Sequence, residues 1–256
     1  QASPHCMERR PLSVVEFSPD PALPITKVIP ELLEAIERNS KLILTAPPGA
    51  GKTTIVPLAL LAAGKITGRI IVLEPRRLAA RAAAERMAQS LNEAAGDTVG
   101  YRMRGQQKTS TRTRIEVVTE GILTRMLQSD PELTGIGGVI FDEFHERSLN
   151  ADLGLALCLE AASAFCEDLR ILVMSATLDV APLVTLMQHP PVIAAEGRSF
   201  PVAPIWLDRP LPKSIKFETA MCDLVLQALP QTSGAVLVFL PGEREIQKTA
   251  ALLKSN

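Results

Sequence analysis

Ala46-Pro47-Pro48-Gly49-Ala50-Gly51-Lys52-Thr53-Thr54 directly follows a short apolar run, Leu42–Thr45, and opens a helical stretch over Lys52–Ala63. This is a P-loop pattern with one departure, Ala46 where glycine is usual. Glycines at 49 and 51 let backbone N–H groups converge on phosphate oxygens with no Cβ in the way, and the positive end of the helix faces the same anion. Pro48, Gly49, Ala50, Gly51, Lys52, Thr53 and Thr54 are therefore candidates for binding a nucleoside triphosphate. Lys52 would reach the β- and γ-phosphates, and the Thr53 hydroxyl would ligate Mg²⁺. The bland alternative is a glycine-containing turn with a chance Lys-Thr; the strand–loop–helix setting is what the phosphate reading requires.

Working outward, short apolar runs alternate with longer helical stretches. Strands are expected at Leu42–Thr45, Arg69–Leu73, Ile115–Val118, Val139–Phe141 and Arg170–Met174. Helices are expected over Pro30–Arg38, Lys52–Ala63, Arg76–Ala95, Glu120–Gln128, Leu149–Phe165 and Val180–Gln188. Strands this apolar are covered on both faces, and their alternation with helices implies an α/β fold with a parallel, doubly wound sheet. Six of the 20 prolines fall in residues 1–30, so residues 1–24 read as an extended arm ahead of an α/β domain over 25–195. The first residue is Gln1, and Met7 is a candidate natural start. A second proline-rich stretch near 190–214 marks a boundary. Residues 196–256 then read as the beginning of a second domain, with a helix near Lys216–Leu229, a strand at Ala235–Leu240 and a helix near Glu243–Lys254.

Among the 256 residues, 46% are hydrophobic, enough for a sizeable core, and Lys+Arg 27 against Asp+Glu 28 leaves a net charge of −1. That balance excludes nucleic-acid binding through overall charge; any such contact must be local. No apolar stretch approaches the ~18–20 residues that cross a bilayer, so no membrane role is expected. The four cysteines form no C-x-x-C pair, which points to a reducing, cytoplasmic setting with buried thiols at Cys158, Cys166 and Cys222.

The run Gly137–Phe141 leads into Asp142-Glu143-Phe144-His145. A strand ending in Asp suits the second Mg²⁺ position of a P-loop NTPase, and the adjacent Glu143 is placed to orient and deprotonate an attacking water. An Asp-Glu pair at a strand end is common as solvated surface; its weight here comes from lying 90 residues beyond Lys52, a spacing compatible with strands of one sheet. His145 and Ser175-Ala176-Thr177, which follows another apolar run, are chemically suited to relay nucleotide state to a moving second domain.

With these residues in place, the chain resembles superfamily 2 helicases of the DEAH-box type, in wording the bacterial HrpB-type group. The matches run in order: Ala46–Thr54, Glu74-Pro75-Arg76-Arg77, Thr119-Glu120-Gly121, Asp142–Arg147 with Phe144 where the family name has Ala, Ser175-Ala176-Thr177, and Leu237–Gly242. The resemblance implies a RecA-like domain followed by the start of a second one. It also implies ATP as the cofactor, with other NTPs accepted, and Mg²⁺ held by Thr53 and Asp142. Catalytic roles fall to Lys52, Asp142, Glu143 and His145, and interdomain coupling to Ser175 and Thr177. It aligns Arg86 with an arginine that stacks on the nucleotide base; on spacing alone Arg86 reads as an exposed helix face. Arg76, Arg77 and Thr119 would hold the backbone of RNA without sequence preference. The basic stretches Tyr101–Arg104 and Thr111–Arg114 stay open between a nucleic-acid role and the solvated side of a hairpin.

The family's second-domain arginines fall outside these 256 residues, so the expectation is weak Mg·NTP binding and poor turnover by this polypeptide alone. Two other readings remain: a nucleotide-switched RNA or protein interaction module without unwinding, and another P-loop enzyme such as a kinase. Glu143 counts against the first, and Ser175–Thr177 with the start of a second α/β domain counts against the second.

Overall fold

The computed structural model describes residues 15–177, 179–197, 202–212 and 214–255. The chain divides into two compact units, Gln1–Ser199 and Phe200–Asn256. Most of the expected amino-terminal arm, with Met7, lies outside the described residues.

The first unit is built on one eight-stranded sheet. Its strands are β1 (Lys41–Thr45), β2 (Arg69–Leu73), β3 (Val99–Met103), β4 (Gln106–Lys108), β5 (Ile115–Val118), β6 (Ile136–Phe141), β7 (Arg170–Ser175) and β8 (Val192–Ala194). Their spatial order is β4-β3-β5-β2-β6-β7-β1-β8. Every pairing is parallel except β3 with β4. Side chains alternate between faces along each strand. Leu42, Leu44, Ile70 and Val72 join a core beneath α1 (Ile29–Arg38), α2 (Lys52–Ala62) and α3 (Arg77–Ser90). Ile43, Ile71, Leu73 and Phe141 join a core beneath α4 (Glu120–Ser129), α5 (Leu149–Ala164) and α6 (Ala181–Leu186). Two apolar faces explain why these strands read as unbroken apolar runs.

Three departures from the sequence reading have local causes. The edge strand β8 begins just after Pro190-Pro191, where proline suggests a linker; a proline at the start of an edge strand leaves the ladder intact, and the Pro191 carbonyl accepts the Ile43 N–H at 3.0 Å. Helix α3 stops at Ser90 rather than near Ala95. Asn92 is left-handed (φ 56°), its N–H bonds the Gln89 carbonyl, and the Glu93 N–H returns to Ala88, a Schellman cap. The strand expected at Ala235–Leu240 is irregular backbone with Leu237 and Phe239 exposed; a strand needs a neighbour to close its ladder, and none pairs with it among the described residues. The second unit instead packs α7 (Phe217–Ala228) against α8 (Glu243–Ser255), with Lys248 and Glu218 ion-paired at 2.9 Å. Cys158 and Cys222 are buried as expected, but Cys166 is half-exposed, its thiol donating to the Glu132 carbonyl at 2.7 Å.

Gly137 sets the path of β6: a Cβ there would collide with the Thr67 carbonyl oxygen. Gly137→Ala should therefore destabilise the protein by about 1–3 kcal/mol, while Gly121→Ala, where a Cβ meets nothing within 4 Å, should stay within about 0.5 kcal/mol. Urea denaturation of both variants checks this; equal midpoints would refute the packing role of Gly137.

Candidate nucleotide site

In a parallel α/β sheet, ligands gather outside the carboxyl ends of the strands. Here those ends carry the P-loop (β1), Glu74 (β2), Thr119 (β5), Asp142 (β6) and the Ser175–Thr177 segment (β7). The loop after β1 is fixed from both sides. The Ala46 N–H donates to the Ser175 carbonyl at 3.0 Å, and the Ala50 carbonyl accepts the Ile25 N–H at 3.2 Å. Ala46 is itself buried in the core, so its methyl group, the departure from glycine, fills space. Gly49 (φ 78°) and Gly51 (φ 93°) adopt left-handed backbone that favours glycine. The N–H groups of Gly49, Gly51, Lys52 and Thr53 have no acceptor among the described residues, which leaves a nest of donors at the start of α2. Pro48 is exposed at the loop apex. Ala50 is buried, and its N–H is spent on the Pro47 carbonyl; Ala50 shapes the loop and offers no donor.

Two side-chain contacts tie the start of α2 to the end of β6. The Thr53 hydroxyl donates to Asp142 Oδ2, and Lys52 Nζ lies 2.9 Å from Glu143 Oε1. Lys52 and Asp142 are both buried. Burial pushes the Asp142 carboxyl up to about 6, against the opposing pull of the Thr53 hydrogen bond, while the neighbouring Glu143 charge adds to the rise. The second Asp142 oxygen accepts the Glu143 N–H at 2.8 Å. Glu143 itself is left-handed (φ 49°, ψ 35°), a conformation costly for a non-glycine residue and concentrated at functional sites.

From Glu143 a single 3-10 turn, Phe144–Glu146, carries the chain toward β7. His145 Nδ1 accepts the Ala176 N–H at 3.2 Å and lies 3.3 Å from Glu143 Oε2. His145 thus meets the Ser175–Thr177 segment, but through the backbone of Ala176 rather than through a hydroxyl. Ser175 Oγ accepts the Thr177 N–H at 3.2 Å and lies 3.2 Å from Thr177 Oγ1, which braces that segment.

A cleft of about 620 Å³ opens beside the P-loop. Lys52, Thr53, Thr54, Glu143, Asp20 and Leu23 line it. One wall is a face of α3 formed by Ala79, Ala82, Ala83, Arg86 and Ser90. Small side chains on that wall leave room for a flat ring, and Arg86 reaches the same space from an exposed helix face.

Two acidic residues of the cleft that lie within the quoted motifs, Glu74 and Glu146, were given no role from sequence. Glu74 follows β2 as Asp142 follows β6, a repeat of the same strand-then-acid pattern that could have revealed it. It is buried; desolvation, with the Asp142 charge next, pushes its carboxyl up to about 7. Glu146 accepts both Arg76 Nε, at 3.2 Å, and Arg76 Nη2. Arg76, expected on the nucleic-acid side, therefore also lines the cleft. Arg77 donates to the Arg104 carbonyl at 3.1 Å, and the Thr119 N–H to that of Arg102 at 3.4 Å, so both lie at the carboxyl end of β3. The basic stretches beyond are mostly engaged: Arg102 and Arg69 flank the buried Glu116, Arg112 pairs with Asp97, and Arg114 donates to the Gly68 carbonyl.

The sequence pattern of the DEAD/DEAH box helicase family matches residues 26–185, well over half of the chain. The chain belongs to the DEAD/DEAH box helicase family. It is 53% identical to the ATP-dependent RNA helicase HrpB of Escherichia coli K12 over 92% of its own length and 29% of that protein. The ATP-dependent RNA helicase HrpA of Borreliella burgdorferi is 35% identical over 89% of this chain and 28% of its own length. The human probable ATP-dependent RNA helicase DHX40 is 35% identical over 91% and 31%. A crystal structure of the E. coli DEAH/RHA helicase HrpB superposes with a TM-score of 0.86 over 91% of this chain and 30% of that one. The chain thus spans under a third of these helicases. Among the described residues, no helix is long and apolar enough to cross a membrane.

Glu74 gives this helicase-family site a measurable pH dependence. Because its carboxyl is raised in the folded state, the unfolded chain loses that proton first as pH climbs from about 4.5 to 7, and stability falls across that window. At 1.36 kcal/mol per pKa unit the loss is at most about 3 kcal/mol. Glu74→Gln should flatten the stability profile over that window and stabilise the protein at pH 8, both by removing its own buried charge and by relieving Asp142 of a like-charged neighbour. Chemical denaturation from pH 4.5 to 8 tests it; parallel profiles for variant and wild type would refute the assignment.

Proposed function

We propose that this chain is the nucleotide-hydrolysing part of an ATP-dependent RNA helicase, working in the cytoplasm without a membrane. The observation that carries the reading is the double tie between the P-loop and the end of β6, Lys52 to Glu143 and Thr53 to Asp142. The free N–H groups at the start of α2 take the phosphates, and Lys52 moves from Glu143 to the β/γ-phosphate oxygens. Thr53 and Asp142 offer two hard oxygen donors and no nitrogen or sulfur, a set that fits Mg²⁺. When bound, the ion neutralises charge on the phosphates. Glu143, released by Lys52, orients a water and takes its proton. His145, Ser175 and Thr177 pass the state of this centre to a second RecA-like domain that begins near residue 196. Arg86 stacks on the base, and because stacking tolerates base identity, NTPs other than ATP are accepted. Arg76, Arg77 and Thr119 hold RNA phosphates without reading sequence.

The second reading, a nucleotide-driven switch that binds without hydrolysing, would make Glu143 dispensable for turnover. Single-turnover phosphate release with the chain in excess over ATP separates the two even when absolute rates are low. Lys52→Ala should weaken Mg·ATP binding more than tenfold. Glu143→Gln should retain binding while release slows about a hundredfold, within the usual range for a lost general base. Equal release by wild type and Glu143→Gln would leave only the switch.

A further inference from the structure

Arg76 faces two claims in this structure. It stands at the carboxyl end of β2 among the residues proposed to grip RNA, yet its guanidinium is turned back onto Glu146 in a two-point contact, Nε at 3.2 Å and Nη2 on the other carboxylate oxygen. The flat fork of a guanidinium matches a carboxylate and a phosphate equally well, and the edge given to one is unavailable to the other. Glu146 is anchored for the part. It ends the 3-10 turn that starts after Glu143, and its N–H donates to the Glu143 carbonyl at 2.9 Å. Arg76 is also tethered, its own N–H pointing to Glu74 Oε1 at 3.4 Å. The pair is 69% and 31% exposed, so solvent and incoming phosphates reach it, and screening by solvent keeps an exposed pair of this kind weak. A contact that weak is exchangeable.

We propose that Glu146 is an internal stand-in for an RNA phosphate: it holds Arg76 while the track is empty and yields it to the RNA backbone, which frees the turn that carries Glu143. This rests on the RNA-binding reading of Arg76 above. Glu146 is a positioning residue: it acts through Arg76, and it lowers the affinity for RNA by occupying the arginine that grips it. The competition is specific to Arg76, since Arg77 is engaged elsewhere, on the Arg104 carbonyl.

The test is a double-mutant cycle read by fluorescence anisotropy, with a labelled 12-mer of oligouridylate and the whole chain. Glu146→Gln removes the competing charge in the same shape and should tighten oligouridylate binding about fivefold. It should also steepen the dependence of log K on log salt by about 0.7, the increment for one more single-strand phosphate contact. Arg76→Gln should weaken binding, and adding Glu146→Gln to it should restore nothing. A gain from Glu146→Gln that persists in the Arg76→Gln background would reflect lost general repulsion and overturn the proposal. So would a gain in affinity for a fluorescent ATP analogue with none for oligouridylate, which would assign Arg76 to the nucleotide. No binding of oligouridylate by the wild-type chain would remove the RNA reading of Arg76 itself, whereas binding that Glu146→Gln leaves unchanged would remove only the competition.

Discussion

The ammonium of Lys52 is buried, with 4% of its side chain exposed, and lies 2.9 Å from a Glu143 carboxylate oxygen. A buried charge without a partner is costly, so the start of α2 must face an anion in every state the protein occupies. Glu143 serves in this structure, and on the proposed function the phosphates of a bound nucleotide would take its place. The same requirement draws β6 toward the P-loop. Asp142 must lie where its oxygens meet the Thr53 hydroxyl, and the chain must then turn at once, through left-handed Glu143, to bring the second carboxylate onto the lysine. The strain at Glu143 is held by these contacts and by the 2.8 Å bond from its N–H back to Asp142.

Other elements of the edge fall into place around this exchange. The 3-10 turn after Glu143 delivers His145 to the backbone of Ala176 and Glu146 to Arg76, so one short segment touches both neighbours of β6, the ends of β7 and β2. The Ser175 carbonyl in turn holds the Ala46 N–H at the entrance to the P-loop. A change in what Lys52 faces is thereby connected, by contacts of about 3 Å, to the segment expected to communicate with a second domain and to the arginines expected to hold RNA.

Much of this was readable from the chain because parallel strands buried on both faces leave unbroken apolar runs, and the residue that ends each run stands at the ligand edge. That is why Lys52, Thr53, Asp142, Glu143 and Ser175 could be placed without coordinates. The hairpin of β3 and β4 was legible only as one of two open readings of Tyr101–Arg104, and the edge strand β8 was not legible. β4 is exposed along its length and β8 follows two prolines, while Gly100 and Arg102 interrupt the apolar run of buried β3, so none shows an unbroken apolar run even though the sheet accepts all three. Side-chain pairings across long separations were also hidden. Arg76 and Glu146 are 70 residues apart, and from sequence the arginine reads as a free cation aimed at nucleic acid. Arg102 and Arg114, locally as basic, turn out to serve the sheet by neutralising buried Glu116 and capping a loop carbonyl.

The exchange of partners at Lys52 is tested most directly by thermal unfolding of wild type and Glu143→Gln, each with and without a saturating non-hydrolysable ATP analogue and Mg²⁺. Without nucleotide the variant leaves the ammonium short of its counter-charge. As Glu143 is 25% exposed, the loss is about 1–2 kcal/mol, or roughly 2–8 °C in Tm for a protein of this size. With nucleotide bound, phosphates face Lys52 in both proteins, and the gap should close or reverse. A gap that is the same with and without nucleotide would contradict the account.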